Sequence, residues 1–337
     1  MAFPSLLMTM RTTDLVLEGG GVKGAGLAGA VAGLAEEYDF HRVAGTSAGA
    51  IVASFVAAGL GTKLEQLMID TDFSAFEDPG LGGRWLGWLG SGLDFVLHEG
   101  IYRGEVLHRW IGDVLASAGV RTWGDLRIDH SPDTPVEHRY SLVVIVSDVS
   151  RGRMLRLPWD YEALLGVDPD RLPVADAVRA SASIPFFFRP WRMAVNPRLA
   201  GGREQLVLSD GGMLSNYPIG IFDDDPERPT IGVRLSARLG PAEAPWMDPD
   251  DPVSLVRALV GTMCNAHDQI HIDQPSVVSR TIFVDTHEAS STDFGIPFET
   301  KARLFDNGLH AAASFMCDWD YDEWRRRYAA ELGHTLA

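Results

Sequence analysis

Twice within its first sixty residues the chain runs a short apolar stretch into a glycine-bearing turn and out into small apolar residues at helical spacing. The first unit comprises residues 13–18 (TDLVLE), the loop 19–24 (GGGVKG) and the segment 24–38. The second comprises 41–45 (HRVAG), the turn 45–49 (GTSAG) and the segment 48–60. A strand that passes into a helix through so tight a turn hides its apolar faces by laying the helix back on a sheet. Segment 48–60 is apolar on nearly every face, which predicts a helix buried in mid-protein. Further runs rich in β-branched residues, 141–147 (SLVVIVS), 205–208, 230–235 and 281–285, alternate with helical stretches that include 252–272 and 299–317. The fold class this rhythm predicts is α/β with a mostly parallel central sheet.

With 337 residues, 46% of them hydrophobic and 22% charged, the chain has ample material for a buried core in one or two domains. Its 46 acidic against 29 basic residues leave a formal net charge of −17, which argues against a nucleic-acid partner, because phosphate neutralisation needs a concentrated basic surface. No stretch of about 18 apolar residues runs without charge, glycine or proline, so no membrane-spanning helix is expected. Residues 1–12 read as a short leader, since Arg11 follows the apolar Leu6, Leu7 and Met8 where a signal peptide needs its charge in front. Cys264 and Cys317 stand alone and far apart, which fits small buried hydrophobes in a reducing compartment. The expected location is cytoplasmic, peripheral membrane contact and secretion independent of a signal peptide remaining open. The charged, proline-bearing loop 222–229 (FDDDPERP) divides a core at 13–222 from a C-terminal region at 223–337, expected to be mainly helical with added strands and packed on the core.

Three short motifs carry chemistry. Gly45, Thr46, Ser47, Ala48 and Gly49 spell GxSxG between the second strand and the buried helix. A nucleophilic serine needs such a strand-to-helix elbow, and the flanking glycines are needed where the turn leaves no room for side chains. The bland alternative is a serine that caps a helix. Gly19, Gly20, Gly21, Val22, Lys23 and Gly24 form a loop in which consecutive N–H groups can converge on a negative oxygen and a nearby ammonium adds charge, the construction of an oxyanion hole. The same loop satisfies GxGxxG, but a dinucleotide site demands an acidic residue at the end of the second strand, where this chain has Gly45, Thr46 and Ser47. A Walker A loop fails as well, since Gly24 follows Lys23. Asp210, Gly211 and Gly212 follow an apolar run and place a carboxylate at the carboxyl end of a strand, where open α/β sheets hold their ligands, although Asp-Gly alone is commonly a turn.

GGGxKG, then GTSAG, then DGG, in this order, resemble the patatin-like phospholipase family. Residues 180–190 (ASASIPFFFRP) resemble the block these proteins carry before the aspartate, and Asn216, Tyr217 and Pro218 continue the likeness after it. The resemblance covers roughly residues 13–222, and the stretch 293–315 is also similar to bacterial members. It implies a three-layer α/β/α fold and a cofactor-independent lipid acyl hydrolase acting on phospholipid or lysophospholipid esters. By resemblance Ser47 is the nucleophile, Asp210 its proton acceptor in a Ser-Asp dyad, and the backbone of Gly19, Gly20, Gly21 and Val22 the oxyanion hole, supported by Lys23, Gly24, Gly45, Gly49, Gly211 and Gly212. For a carboxylate to serve as base, Asp210 is expected to be desolvated and its pKa raised. None of the ten histidines sits in a motif, so none enters the mechanism.

Weaker features have bland readings. His267 and His271 (HDQIH) could pair on one helical face, but without the glutamate of HExxH a solvated face is expected and no metal. Trp85 and Trp88, in the glycine-rich stretch 79–100, fit a core or a lid at a membrane interface, and Arg325, Arg326 and Arg327 fit an ordinary helix face. Two alternatives to carboxylic ester hydrolysis remain: a transacylase or thioesterase with the same dyad, and a non-catalytic lipid-binding or regulatory module.

Overall fold

The computed structural model describes residues 10–79, 100–199, 201–225, 228–235, 262 and 274–335. Its elements are β1 (Arg11–Leu17), α1 (Gly24–Leu34), β2 (Tyr38–Thr46), α2 (Ala48–Ala57), α3 (Leu64–Ile69), β3 (Gly100–Tyr102), α4 (Glu105–Ser117), β4 (Leu142–Asp148) and β5 (Arg153–Leu157). They continue with α5 (Val174–Ser181), β6 (Phe186–Phe188), β7 (Trp191–Ala194), β8 (Gln205–Asp210), β9 (Thr230–Arg234), α6 (Pro275–Val278), β10 (Thr281–Phe283), α7 (Phe298–Asp318) and α8 (Tyr321–Thr335).

Eight strands form the central sheet. β10, β9, β1, β2 and β4 are mutually parallel, while β5, β7 and β8 join antiparallel. The mostly parallel α/β class is therefore correct, with an antiparallel end that the sequence rhythm did not announce. Side chains of the inner strands alternate between two layers, as the two-residue period of a strand requires. Leu15, Leu17, Val43, Val144 and Val146 enter the larger core with α1, α2, α4, α5 and α7. Val16, Ala44, Val143 and Ile145 meet Trp159, Tyr217, Ile219, Phe222 and Val277 on the other face. There α8 leans on α6 through the Trp324 indole, which donates to the Ser276 carbonyl at 3.0 Å. The sheet is thus the middle of three layers, as the resemblance implied.

β2 and β8 meet β4 in an unusual way. Backbone groups of alternate residues in a strand point to opposite edges. Val43 N–H bonds the Ser141 carbonyl, and Val149 N–H bonds the Val207 carbonyl. Positions 141 and 149 share parity, so β2 and β8 occupy one edge of β4, and β5 the other. Along that edge β2 rises to the pair Thr46–Ile145, and β8 descends to the pair Asp210–Val146. The two strands end head to head.

Several boundaries move. β1 begins at Arg11, inside the expected 1–12 leader, and β2 begins at Tyr38 rather than residue 41. Exposed Asp39, between Tyr38 and Phe40, concealed that start, while Arg42 within the strand is fully buried because its guanidinium pairs with equally buried Asp14 at 2.5 Å. Residues beyond 222 continue the same sheet, since β9 pairs with β1. α7 lies against α1 so closely that a Cβ on Gly308 would meet the Gly26 carbonyl and one on Gly29 the Phe305 carbonyl. Cys317 is an exposed free thiol, not a buried hydrophobe, because it falls on the outer face of α7. The expected helix 252–272, Cys264, His267, His271, Trp85 and Trp88 lie outside the described residues, apart from Thr262, itself helical. No described helix is long and apolar enough to cross a membrane.

Candidate active site

Ser47 occupies the elbow between β2 and α2 with φ +53° and ψ −121°. A side-chain-bearing residue held there stores about 1–3 kcal/mol of strain, which the surroundings must over-determine. They do so from three sides. The Ser47 N–H donates to Ser181 Oγ at 2.9 Å, and that hydroxyl donates onward to the Ile145 carbonyl at 2.6 Å. The Ser47 carbonyl accepts from Ala50 and Ile51 in the first turn of α2. Gly45 and Gly49 let the turn close, since a Cβ on Gly49 would collide with the Leu17 and Glu18 carbonyls and one on Gly45 with Gly49 itself.

Asp210 arrives from the opposing strand end. Its Oδ2 accepts from Ser47 Oγ at 2.7 Å, and its Oδ1 from the Gly212 N–H at 2.8 Å. The sequence placed this carboxylate at the carboxyl end of a strand in the ligand-binding crevice of an open parallel sheet. β8 is in fact antiparallel, and Asp210 reaches the serine because β8 terminates against the end of β2. Gly211 makes the crossing possible, for a Cβ there would strike the Ile145 carbonyl. The Ser47 and Asp210 side chains are almost wholly buried. Burial pushes the Asp210 carboxyl up to about 6, with the hydrogen bonds from Ser47 and Gly212 opposing the rise. The desolvation expected for this residue is present. Among the described residues no histidine bonds to either side chain.

The glycine loop runs beside them, and a Cβ on Gly19 would stand 3.2 Å from that of Ser47. The Gly19 N–H donates to the Asn216 carbonyl at 3.0 Å while Asn216 Nδ2 donates back to the Gly19 carbonyl at 3.1 Å, which ties the loop to the segment after Asp210. The Val22 N–H donates to the Ser291 carbonyl at 3.2 Å. Among the described residues the N–H groups of Gly20 and Gly21 have no acceptor. Gly21 has φ +57° and lies where any Cβ would collide with the Ser291 carbonyl. Lys23 ends this loop and Gly24 opens α1. Partial burial lowers the Lys23 pKa, and the Glu18 carboxylate opposes that.

The residues that the motifs did not single out lie at the end of α5. Besides Ser181, the Ser183 carbonyl accepts from the Asp210 N–H at 3.0 Å and from Ser209 Oγ at 2.9 Å. Ser183 Oγ in turn accepts from the buried Arg179 guanidinium at 2.6 Å. Arg179 also donates to the carbonyls of Arg103, Gly104 and Arg189, so it bonds to carbonyls and a hydroxyl with no carboxylate among these partners. Burial lowers its pKa to about 10. The sequence signal was there in polar residues at every second position of an otherwise apolar helix end, RASAS at 179–183.

An apolar cavity opens beside Ser47, walled by Ile51, Met68, Phe76, Leu107, Trp110 and Phe294. The arrangement offers a hydroxyl bonded to a carboxylate of raised pKa, backbone donors beside it, and a greasy hollow within reach. It suits attack on a carbonyl whose substituent is apolar. Among the described residues no cluster of three potential metal ligands occurs.

A family model described as patatin-like phospholipase matches residues 15–223. The uncharacterized protein YqhO of Bacillus subtilis (strain 168) is 37% identical over 313 residues, 91% of this chain and 99% of its own length. The uncharacterized protein R571 of Acanthamoeba polyphaga mimivirus is 21% identical over 322 residues, 91% of this chain and 94% of its own. Among solved structures, VipD from Legionella pneumophila superposes with a TM-score of 0.51 at 16% identity, over 91% of this chain and 66% of VipD, a likeness of fold. The match over residues 15–223, well over half of the chain, shows that this protein belongs to the patatin-like phospholipase family.

Proposed function

We propose that the protein is a carboxylic ester hydrolase for phospholipids or lysophospholipids, with Ser47 as nucleophile and Asp210 as proton acceptor. The observation that carries this reading is the 2.7 Å bond between Ser47 Oγ and Asp210 Oδ2 on a strained elbow. As Oγ bonds to the ester carbonyl carbon, its proton passes to Asp210, and the carbonyl oxygen becomes an oxyanion facing the N–H groups of Gly20 and Gly21. Collapse breaks the ester C–O bond, and the leaving alcohol takes the proton from Asp210. Water then attacks the acyl-enzyme with Asp210 again as base, and the fatty acid leaves as Ser47 regains its proton. A carboxylate whose pKa lies near 6 is a stronger base than an exposed one, yet is still ionised at neutral pH.

In this reading Gly19 and Val22 shape the oxyanion loop, because their own N–H groups bond to protein carbonyls. Lys23 contributes positive charge at the loop. No cofactor takes part. The substrate is met at a membrane surface from the aqueous, cytoplasmic side. Labelling with a fluorophosphonate, followed by intact mass, tests the assignment. One adduct is expected on the wild type, none on Ser47→Ala and little on Asp210→Asn. A wild type left unlabelled both in buffer and with phospholipid vesicles would overturn it.

A further inference from the structure

The apolar cavity lies against the first turns of α2, and Trp110 is one of its walls. Ser47 caps α2, Ile51 one turn later lines the cavity, and Phe55 two turns later carries the indole of Trp110 against its ring. The Phe55 and Trp110 ring centroids are 5.4 Å apart with planes at 78°. On its other side Trp110 packs against Phe76 at 5.2 Å. The indole, which also lines the cavity, is therefore wedged between two aromatic rings.

We propose that this cavity receives the acyl chain of the substrate and that Trp110 is the residue that limits the chain length it accepts. The inference rests on Ser47 being the nucleophile, since the carbonyl must sit at the head of the cavity for its floor to measure the chain. The walls named above are all apolar, so each methylene that enters leaves water, and its binding energy enters kcat/KM until the chain touches the indole. A longer chain must bend or displace Trp110, which two aromatic neighbours resist. Ile51, midway along α2, controls the same passage nearer its head.

The test measures kcat/KM on p-nitrophenyl esters of increasing acyl length, below their aggregation limits, for the wild type, Trp110→Ala and Ile51→Phe. Labelling rates with a matching series of n-alkyl fluorophosphonates are measured in parallel. In the wild type kcat/KM should climb by up to about fourfold per methylene and then break at a limiting chain length. Trp110→Ala should move the break to longer chains and Ile51→Phe to shorter ones, opposite shifts that a general loss of stability does not produce. A thermal melt confirms that each variant is folded, and Trp110→Leu replaces Trp110→Ala if the latter is not. Labelling of Ser47 at rates indifferent to chain length, or a break that neither variant moves, overturns the cavity proposal and leaves the Ser47 assignment standing. Absence of labelling at every chain length overturns both.

Discussion

Replacing Asp210 with asparagine should abolish the chemistry and at the same time stabilise the fold, with a pH dependence that reports why. The carboxyl ordinarily titrates at 3.8, and burial raises it to about 6 in the folded chain. Below the lower value the group is protonated in both states, and it is a neutral hydrogen-bonding group in the fold. Between the two values the folded chain keeps a proton that the unfolded chain has released, so stability falls as pH rises and the loss is complete above about 6. At ~1.4 kcal/mol per pH unit, the gap amounts to ~3 kcal/mol of destabilisation carried by the ionised carboxylate at neutral pH. An asparagine side chain is nearly isosteric with the carboxylate and does not titrate. Its carbonyl oxygen can accept from Gly212, and its amide can donate to Ser47 Oγ.

The variant should therefore melt higher than the wild type at pH 8, by ~6 °C if a chain of this size gains ~2 °C per kcal/mol. Near pH 4 the difference should shrink to almost nothing. Differential scanning fluorimetry across pH 4 to 8 reads the effect, with fluorophosphonate labelling of the same samples confirming the loss of reactivity. An advantage of equal size at every pH would refute the desolvation argument. A variant less stable than the wild type at pH 8 would refute it more directly, because the carboxylate would then be a net contributor to the fold.

Three further outcomes follow from the same geometry. The acid limb of kcat/KM for a short, water-soluble ester should have its midpoint near pH 6, with roughly a tenth of plateau activity one pH unit below; a limb near pH 4 would mean that Asp210 titrates as if exposed. Ser47→Gly should melt above Ser47→Ala by the equivalent of ~1 kcal/mol, because only glycine is unstrained at φ +53°, and equal melting points would show that the elbow is relaxed. Ser181→Ala strands the Ser47 N–H without its acceptor, so kcat should fall about tenfold and stability by ~1–3 kcal/mol while KM for a short ester holds; Ser181→Thr, which keeps the hydroxyl, should restore much of both, and an unaltered kcat in Ser181→Ala would remove the residue from the positioning of the elbow.

Local pattern made the first two strand–turn–helix units legible, because apolar runs, glycine clusters and helical spacing are all properties of neighbours in sequence. It failed where burial was achieved by pairing. Arg42 looks like a surface residue until Asp14 is placed beside it, and exposed Asp39 hides the first residues of β2. The antiparallel strands escaped for a related reason, since strand direction is set by connections and partners and leaves no mark on residue periodicity. Cys317 was misjudged because a cysteine's preference for the interior is only an average, and α7 turns that position outward.

The residues of the proposed dyad could be named from motifs, but their meeting could not. Ser47 and Asp210 are 163 positions apart, and no spacing rule connects them. What brings them together is that β2 and β8 share one edge of β4 and stop at adjacent registers, Ile145 and Val146. Each strand end must then turn away over the other, and this is where the room runs out: Gly45 and Gly49 on one side, Gly211 on the other, all at points where a Cβ would hit backbone. The glycines of GTSAG and DGG thus solve a single problem, the collision of two opposed strands. The α5 end fills the gap that remains. Ser181 binds the Ile145 carbonyl and the Ser47 N–H, and the Ser183 carbonyl binds the Asp210 N–H, so one short segment holds both strand ends and the backbone of both residues of the proposed dyad in register. Arg179, bonded to Ser183 and to the carbonyls that precede α4 and follow β6, fastens that segment to the β3–β6 ribbon. The strain at Ser47 can persist because the elements around it are braced by bonds to backbone, which cannot yield without opening the sheet.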